Sequence, residues 1–186
     1  KREVSADVLS ANTVDNESPL RIFLVQGIAR GEKMDLILQK ATELGVAGVL
    51  PTIAERTEVK LDAERTAKRM SHWHSVMVSA CEQSGRARVP ELRQPAALAQ
   101  AAASLPQDCI KLTLDPLGEF SLATLTAPGT QSIAIAIGPE GGWSPRDREI
   151  LSSAGFVRLR MGPRILRTET AGLAAIAALQ SRFGDL

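Results

Sequence analysis

The stretch Ser132-Ile133-Ala134-Ile135-Ala136-Ile137-Gly138-Pro139-Glu140-Gly141-Gly142-Trp143-Ser144-Pro145 decides the fold. Residues Ser132–Ile137 form an uncharged apolar run too short for a helix, the pattern of a strand covered on both faces. Ser144-Pro145 supplies an N-cap followed by proline at the first helical position, opening a helix that stops at Gly155. Further out, Leu20–Gln26, Val46–Ile53, Cys109–Leu114 and Phe156–Met161 are further apolar strands. Met34, Ile37, Leu38, Ala41 and Leu44 recur at helical spacing, with Gly45 as the stop. Glu64–Ser84 is a helix of about six turns, capped by Asp62 and ended by Gly85, with Met70, Trp73, Met77, Ala80 and Cys81 on one face. Pro95–Ser104 and Thr168–Phe183 complete the helices. This alternation predicts an α/β domain with a mostly parallel sheet. The alternating Glu3–Ser10 suggests a short strand, and the polar Ala11–Pro19 is the candidate boundary between residues 1–19 and 20–186.

Twenty-two basic and 21 acidic residues in 186 leave a net charge of +1, and 44% hydrophobic with 23% charged residues excludes wholesale disorder. No run approaches the ~20 apolar residues of a membrane span, and Lys1-Arg2-Glu3 opens no signal peptide. Two isolated cysteines, Cys81 and Cys109, suit a reducing cytosol and offer no zinc spacing. His72 and His74 lie two apart on a helix and point about 200° apart, so no metal site is expected. The missing initiator Met suggests a piece of a longer chain. Charge is unevenly spread: seven arginines and no lysine follow Glu140, and Arg86, Arg88 and Arg93 form a second cluster. Guanidinium groups suit bidentate phosphate contacts.

In a parallel sheet the ligand lies beyond the carboxyl ends of the strands. That places Asp115–Gly118, Gly138–Ser144 and Gly162–Thr168 at the site. The glycines of the second loop allow close backbone approach, and Glu140 would repel phosphate but accept a ligand carrying positive charge. Met161-Gly162-Pro163-Arg164-Ile165-Leu166-Arg167-Thr168-Glu169-Thr170-Ala171 brings two arginines and a donor-rich helix start.

Together, Ile137–Ser144 and Met161–Ala171 resemble the second and third cofactor-loop motifs of the RsmE family of SPOUT methyltransferases. These enzymes methylate N3 of a uridine in 16S ribosomal RNA. The resemblance continues through Gln39-Lys40-Ala41-Thr42-Glu43-Leu44-Gly45-Val46, Pro51, Glu55-Arg56, Trp73, Ala80–Arg86 and Val89-Pro90, and covers residues 20–186 in order. It implies a carboxy-terminal trefoil knot, a homodimer, a cytoplasmic location and S-adenosylmethionine as cofactor. The implied partner is the 16S RNA of the small ribosomal subunit. Residues 1–19 would be a remnant of the family's PUA-like RNA-binding barrel. Met161 stands where the family more often has leucine, a volume-conserving change.

The same resemblance assigns the cofactor to Leu114, Ile137, Gly138, Pro139, Glu140, Gly141, Gly142, Met161, Gly162, Ile165, Leu166, Thr168 and Ala171. Glu140 would balance the sulfonium, and Arg167 would hold the uracil carbonyl or a flanking phosphate. Arg56, Gln83, Arg86 and Arg164 would reach RNA. The general base stays open between Glu140, Glu169 and solvent. Two other functions are compatible with these residues: a SPOUT enzyme acting on transfer RNA or another ribosomal base, and a non-catalytic RNA-binding or assembly factor that keeps the pocket.

Overall fold

The computed structural model describes residues 4–59, 62–126 and 132–186. Its strands are β1 (Arg21–Gly27), β2 (Val46–Ile53), β3 (Glu91–Leu92), β4 (Ala96–Ala97), β5 (Ile110–Leu114), β6 (Phe120–Ser121), β7 (Ser132–Ile137) and β8 (Val157–Arg160). The helices are α1 (Glu32–Glu43), α2 (Ala63–Ser84), α3 (Leu98–Ala103), α4 (Pro145–Ser153) and α5 (Thr168–Phe183). The strands form one sheet in the order β3-β2-β1-β7-β5-β8-β6, with β4 pairing to β2. Every pairing is parallel.

The central strands sort their side chains by the two-residue period of a strand. Ile22 and Leu24 of β1, with Ile133, Ile135 and Ile137 of β7, face a core shared with α1, α2 and α5. Phe23 and Val25, with Ala134 and Ala136, face the opposite core under α3 and α4. Isoleucine on one face of β7 and alanine on the other gives the second layer room for Trp143 and Phe156. Each layer is therefore specified by volume as well as by hydrophobicity.

Two expectations change, and three short strands are added. Residues 4–10 of the expected first strand have no regular structure, and Val4, Val8 and Leu9 are exposed; Glu3 lies outside the described residues. A strand needs a neighbour, and none is present for this segment among the described residues. The helix expected over Pro95–Ser104 begins only at Leu98, because Ala96 and Ala97 pair with Thr52 and Ile53 at the end of β2. The two-residue strands β3, β4 and β6 are too short to show a period.

Candidate active site

Three strand ends supply the site. Beyond β7, the Gly142 N–H donates to Pro139 O at 2.8 Å, closing a turn in which Gly142 has φ 66°. Trp143 then dives into the core and its Nε1–H donates to Thr113 Oγ1 at 3.1 Å. Ser144 caps α4 reciprocally with Asp147. The turn sits directly on β1: a Cβ on Gly27 would lie 2.5 Å from the Pro139 nitrogen, so no side chain fits there. Beyond β5, Asp115 is buried; its Oδ1 accepts from the Leu117 N–H at 2.9 Å and its Oδ2 pairs with Arg148. Beyond β8, residues 161–166 lead to Arg167, the N-cap of α5.

These loops enclose a cavity of about 560 Å³. All the proposed cofactor residues line it except Gly141. Gly141 faces away and accepts a hydrogen bond at its carbonyl from Arg56 Nη1 at 2.9 Å. Leu114, Ile137, Leu159 and Leu166 give the cavity apolar walls, while Glu140 and Glu169 bring carboxylates. One Glu169 oxygen, Oε2, is buried without a hydrogen-bond partner. Among the described residues, no group of three or more His, Cys, Asp or Glu side chains is placed to hold a metal ion.

Glu140 is anchored. Its Oε1 accepts from the Arg30 N–H at 3.0 Å and from Lys33 Nζ at 3.3 Å. Partial burial works against the charged carboxylate, but hydrogen bonds from the backbone amides of Arg30 and Glu140 and the Lys33 ammonium outweigh it. The carboxyl is held below its ordinary value of 4.5. This contribution to stability is fully present above 4.5 and is lost as pH falls through the lower folded-state value. Glu140→Gln is therefore expected to flatten the acid limb of a melting-temperature profile; an unchanged limb would show that the pair contributes nothing to the fold.

The arginines divide sharply. Arg86 is turned inward, with its side chain only 7% exposed. It pairs with Glu17 and donates to Thr42 O at 2.8 Å and Val46 O at 3.0 Å. Its donors are thus spent within the protein rather than turned outward as expected of an RNA contact. Arg93 is held by Glu91 and the Ser104 carbonyl, so of that cluster Arg88 is left exposed, with no side-chain partner among the described residues. Arg56 is exposed but braces the Gly141 carbonyl, and Gln83 is exposed on α2. Arg164 and Arg167 are exposed at the cavity rim with no hydrogen-bond or ion-pair partner among the described residues. Lys33 also lines the cavity. Nothing in its sequence neighbourhood marked it, because its place there depends on Glu140, far along the chain.

Residues 16–180 match the family model described as RNA methyltransferase domain. The chain belongs to that family. It is 36% identical over 179 residues to the ribosomal RNA small subunit methyltransferase E of Buchnera aphidicola subsp. Schizaphis graminum, covering 96% of this chain and 72% of the relative. To the Bacillus subtilis protein of the same name it is 33% identical, covering 96% and 73%. The crystal structure of the Neisseria gonorrhoeae methyltransferase E bound to S-adenosyl methionine superposes with a TM-score of 0.87 at 43% identity, over 94% of this chain and 71% of that one. A Legionella pneumophila putative methyltransferase in complex with the same cofactor gives 0.88 at 44% identity, over 93% and 71%. The small-subunit RNA methyltransferase resemblance carried by the two loop motifs is thus met by whole-chain similarity.

Proposed function

We propose that the chain methylates N3 of a uridine in 16S ribosomal RNA. It is an S-adenosylmethionine-dependent methyltransferase of small-subunit ribosomal RNA, in keeping with its family and with relatives that bind this cofactor. The observation that carries the finer reading is the meeting of three strand-end loops around one cavity with two arginines at its rim that have no partner among the described residues.

The residues fit the cofactor. Gly27 meets the Pro139 backbone where a Cβ would collide, and a Cβ on Gly138 would stand only 3.1 Å from the Trp143 nitrogen, so main chain rather than side chains forms the cradle beside apolar walls for a purine. The ionised Glu140 gives a positively charged ligand a counter-charge. S-adenosylmethionine supplies an activated methyl group on a sulfonium. The protein's part is to align acceptor and donor and to stabilise the uracil once N3 has lost its proton. Arg167 offers donors for that charge and Arg164 for a flanking phosphate. Glu140 is a weak base because its charged form is already favoured by the Arg30 and Glu140 amides and by Lys33; Glu169, with an oxygen that meets no donor among the described residues, is the candidate proton acceptor.

The knot belongs to the same reading. The chain reaches β8 between β5 and β6, runs past the β7 loop, and only then packs α5 against α1, β1 and β7. Exposed Leu117 and Ile165 beside the cavity support a homodimer with the site near its interface. Residues 1–19 are read as the end of a PUA-like barrel, with exposed Val4, Val8 and Leu9 as its apolar residues. No helix among the described residues is long and apolar enough to cross a membrane; the ribosomal substrate supports a cytoplasmic location.

Titration calorimetry is expected to show one S-adenosylmethionine site per chain, and mass mapping of 16S RNA from cells with and without the gene to show one methyluridine lost. A folded chain that binds no cofactor would overturn the assignment.

A further inference from the structure

Gln26, the last residue of the apolar run in β1 before Gly27, is fully buried beside the cavity loops. Its Nε2 donates to Gly27 O at 2.9 Å and to Thr168 Oγ1 at 3.0 Å. The Thr168 hydroxyl in turn meets Gly138 O at 2.6 Å. Both ends of this chain are carbonyls, which only accept, so the direction of every proton in it is fixed. The amide must present nitrogen to Gly27 O, and the hydroxyl must give its single proton to Gly138 O. Gln26 Oε1 is left buried with no partner, a cost that turning the amide over would not relieve without setting oxygen against the Gly27 carbonyl.

We infer that Gln26 is a positioning residue for the methyl-transfer site, acting through Thr168. By donating to Oγ1 it reserves the hydroxyl proton for Gly138 O, and so locks the start of the β7 loop to the start of α5. This rests on the cofactor reading above, since the loop so fixed is the proposed cradle. A carboxylate at this position would have nearly the same shape and the opposite polarity. It would accept the hydroxyl proton, and Gly138 O would lose its donor. A thioether at the position would leave the hydroxyl free to serve Gly138.

The test compares Gln26→Glu, Gln26→Met, Thr168→Val and Thr168→Ser in the intact chain. S-adenosylmethionine affinity is measured by calorimetry, melting temperature alongside it, and hydrogen exchange at the Gly142 amide in the absence of cofactor. Gln26→Glu and Thr168→Val are expected to weaken affinity about tenfold or more, the scale of one buried hydrogen bond, and to speed Gly142 exchange. Gln26→Met should cost less than Gln26→Glu, and Thr168→Ser, which keeps the donor, should restore both readouts. If folded Gln26→Glu and Thr168→Val bind as tightly as the parent and protect Gly142 equally, the relay does no more than stabilise the fold and the inference fails. Should Gln26→Glu not fold, the Thr168→Val and Thr168→Ser pair decides. A parent that binds no S-adenosylmethionine overturns the cofactor reading and this positioning role with it, while the exchange pattern still reports whether the relay holds the loop.

Discussion

Arg167→Ala is expected to slow single-turnover methyl transfer to small ribosomal subunits about 10²–10³-fold, the usual cost of one lost donor to developing charge. Cofactor affinity should barely change. The Arg167 side chain is exposed at the rim and makes no bond among the described residues, so its removal leaves the cradle intact. Its backbone caps α5, and alanine keeps that backbone: Arg167 O accepts from the Ala171 N–H at 2.8 Å whatever the side chain. Lysine should restore only part of the rate, because a point charge cannot span two acceptors as a planar fork does. A normal rate in the alanine variant would reduce Arg167 to a helix cap.

Arg86→Ala is expected to act in the opposite way, with a loss of about 3–5 kcal/mol in urea unfolding, the range for breaking one side of a buried ion pair. The change strands the Glu17 carboxylate, itself only 18% exposed, and strips donors from the carbonyls of Thr42 and Val46. Glu17→Gln in the Arg86→Ala background should recover part of the loss, since the stranded charge is gone. A variant of unchanged stability that binds small-subunit RNA weakly would return Arg86 to the RNA surface.

These two arginines show where sequence stops being informative. Both lie in strings typical of the family, next to a helix end, and the same chemistry suggests itself for each. What separates them is Glu17, 69 residues before Arg86 and folded onto it, a pairing no local pattern contains. Elements were legible where an apolar run was long and cleanly bounded: β2, β7 and α5 have the boundaries their residues predict. The strand expected near the amino terminus carried the right alternation but pairs with no strand among the described residues. The cavity loops were legible as glycine and proline between a buried strand and a capped helix. Lys33 and Gln26 were not, because one stands in an ordinary amphipathic helix and the other ends an apolar run; only the neighbours they meet give them a role.

The alanine face of β7 links the site to a distant part of the molecule. Trp143 lies against that face, and the turn from Gly138 to Gly142 hangs between the indole and Gly27. A larger side chain at Ala134 or Ala136 would compete with the indole for the volume of that core. The layer of α3 and α4 is thus tied to the site through Trp143, which belongs to its core and also lines the cavity. Enzymes of this build should tolerate change there only in compensating pairs, one side chain growing as the one across from it shrinks.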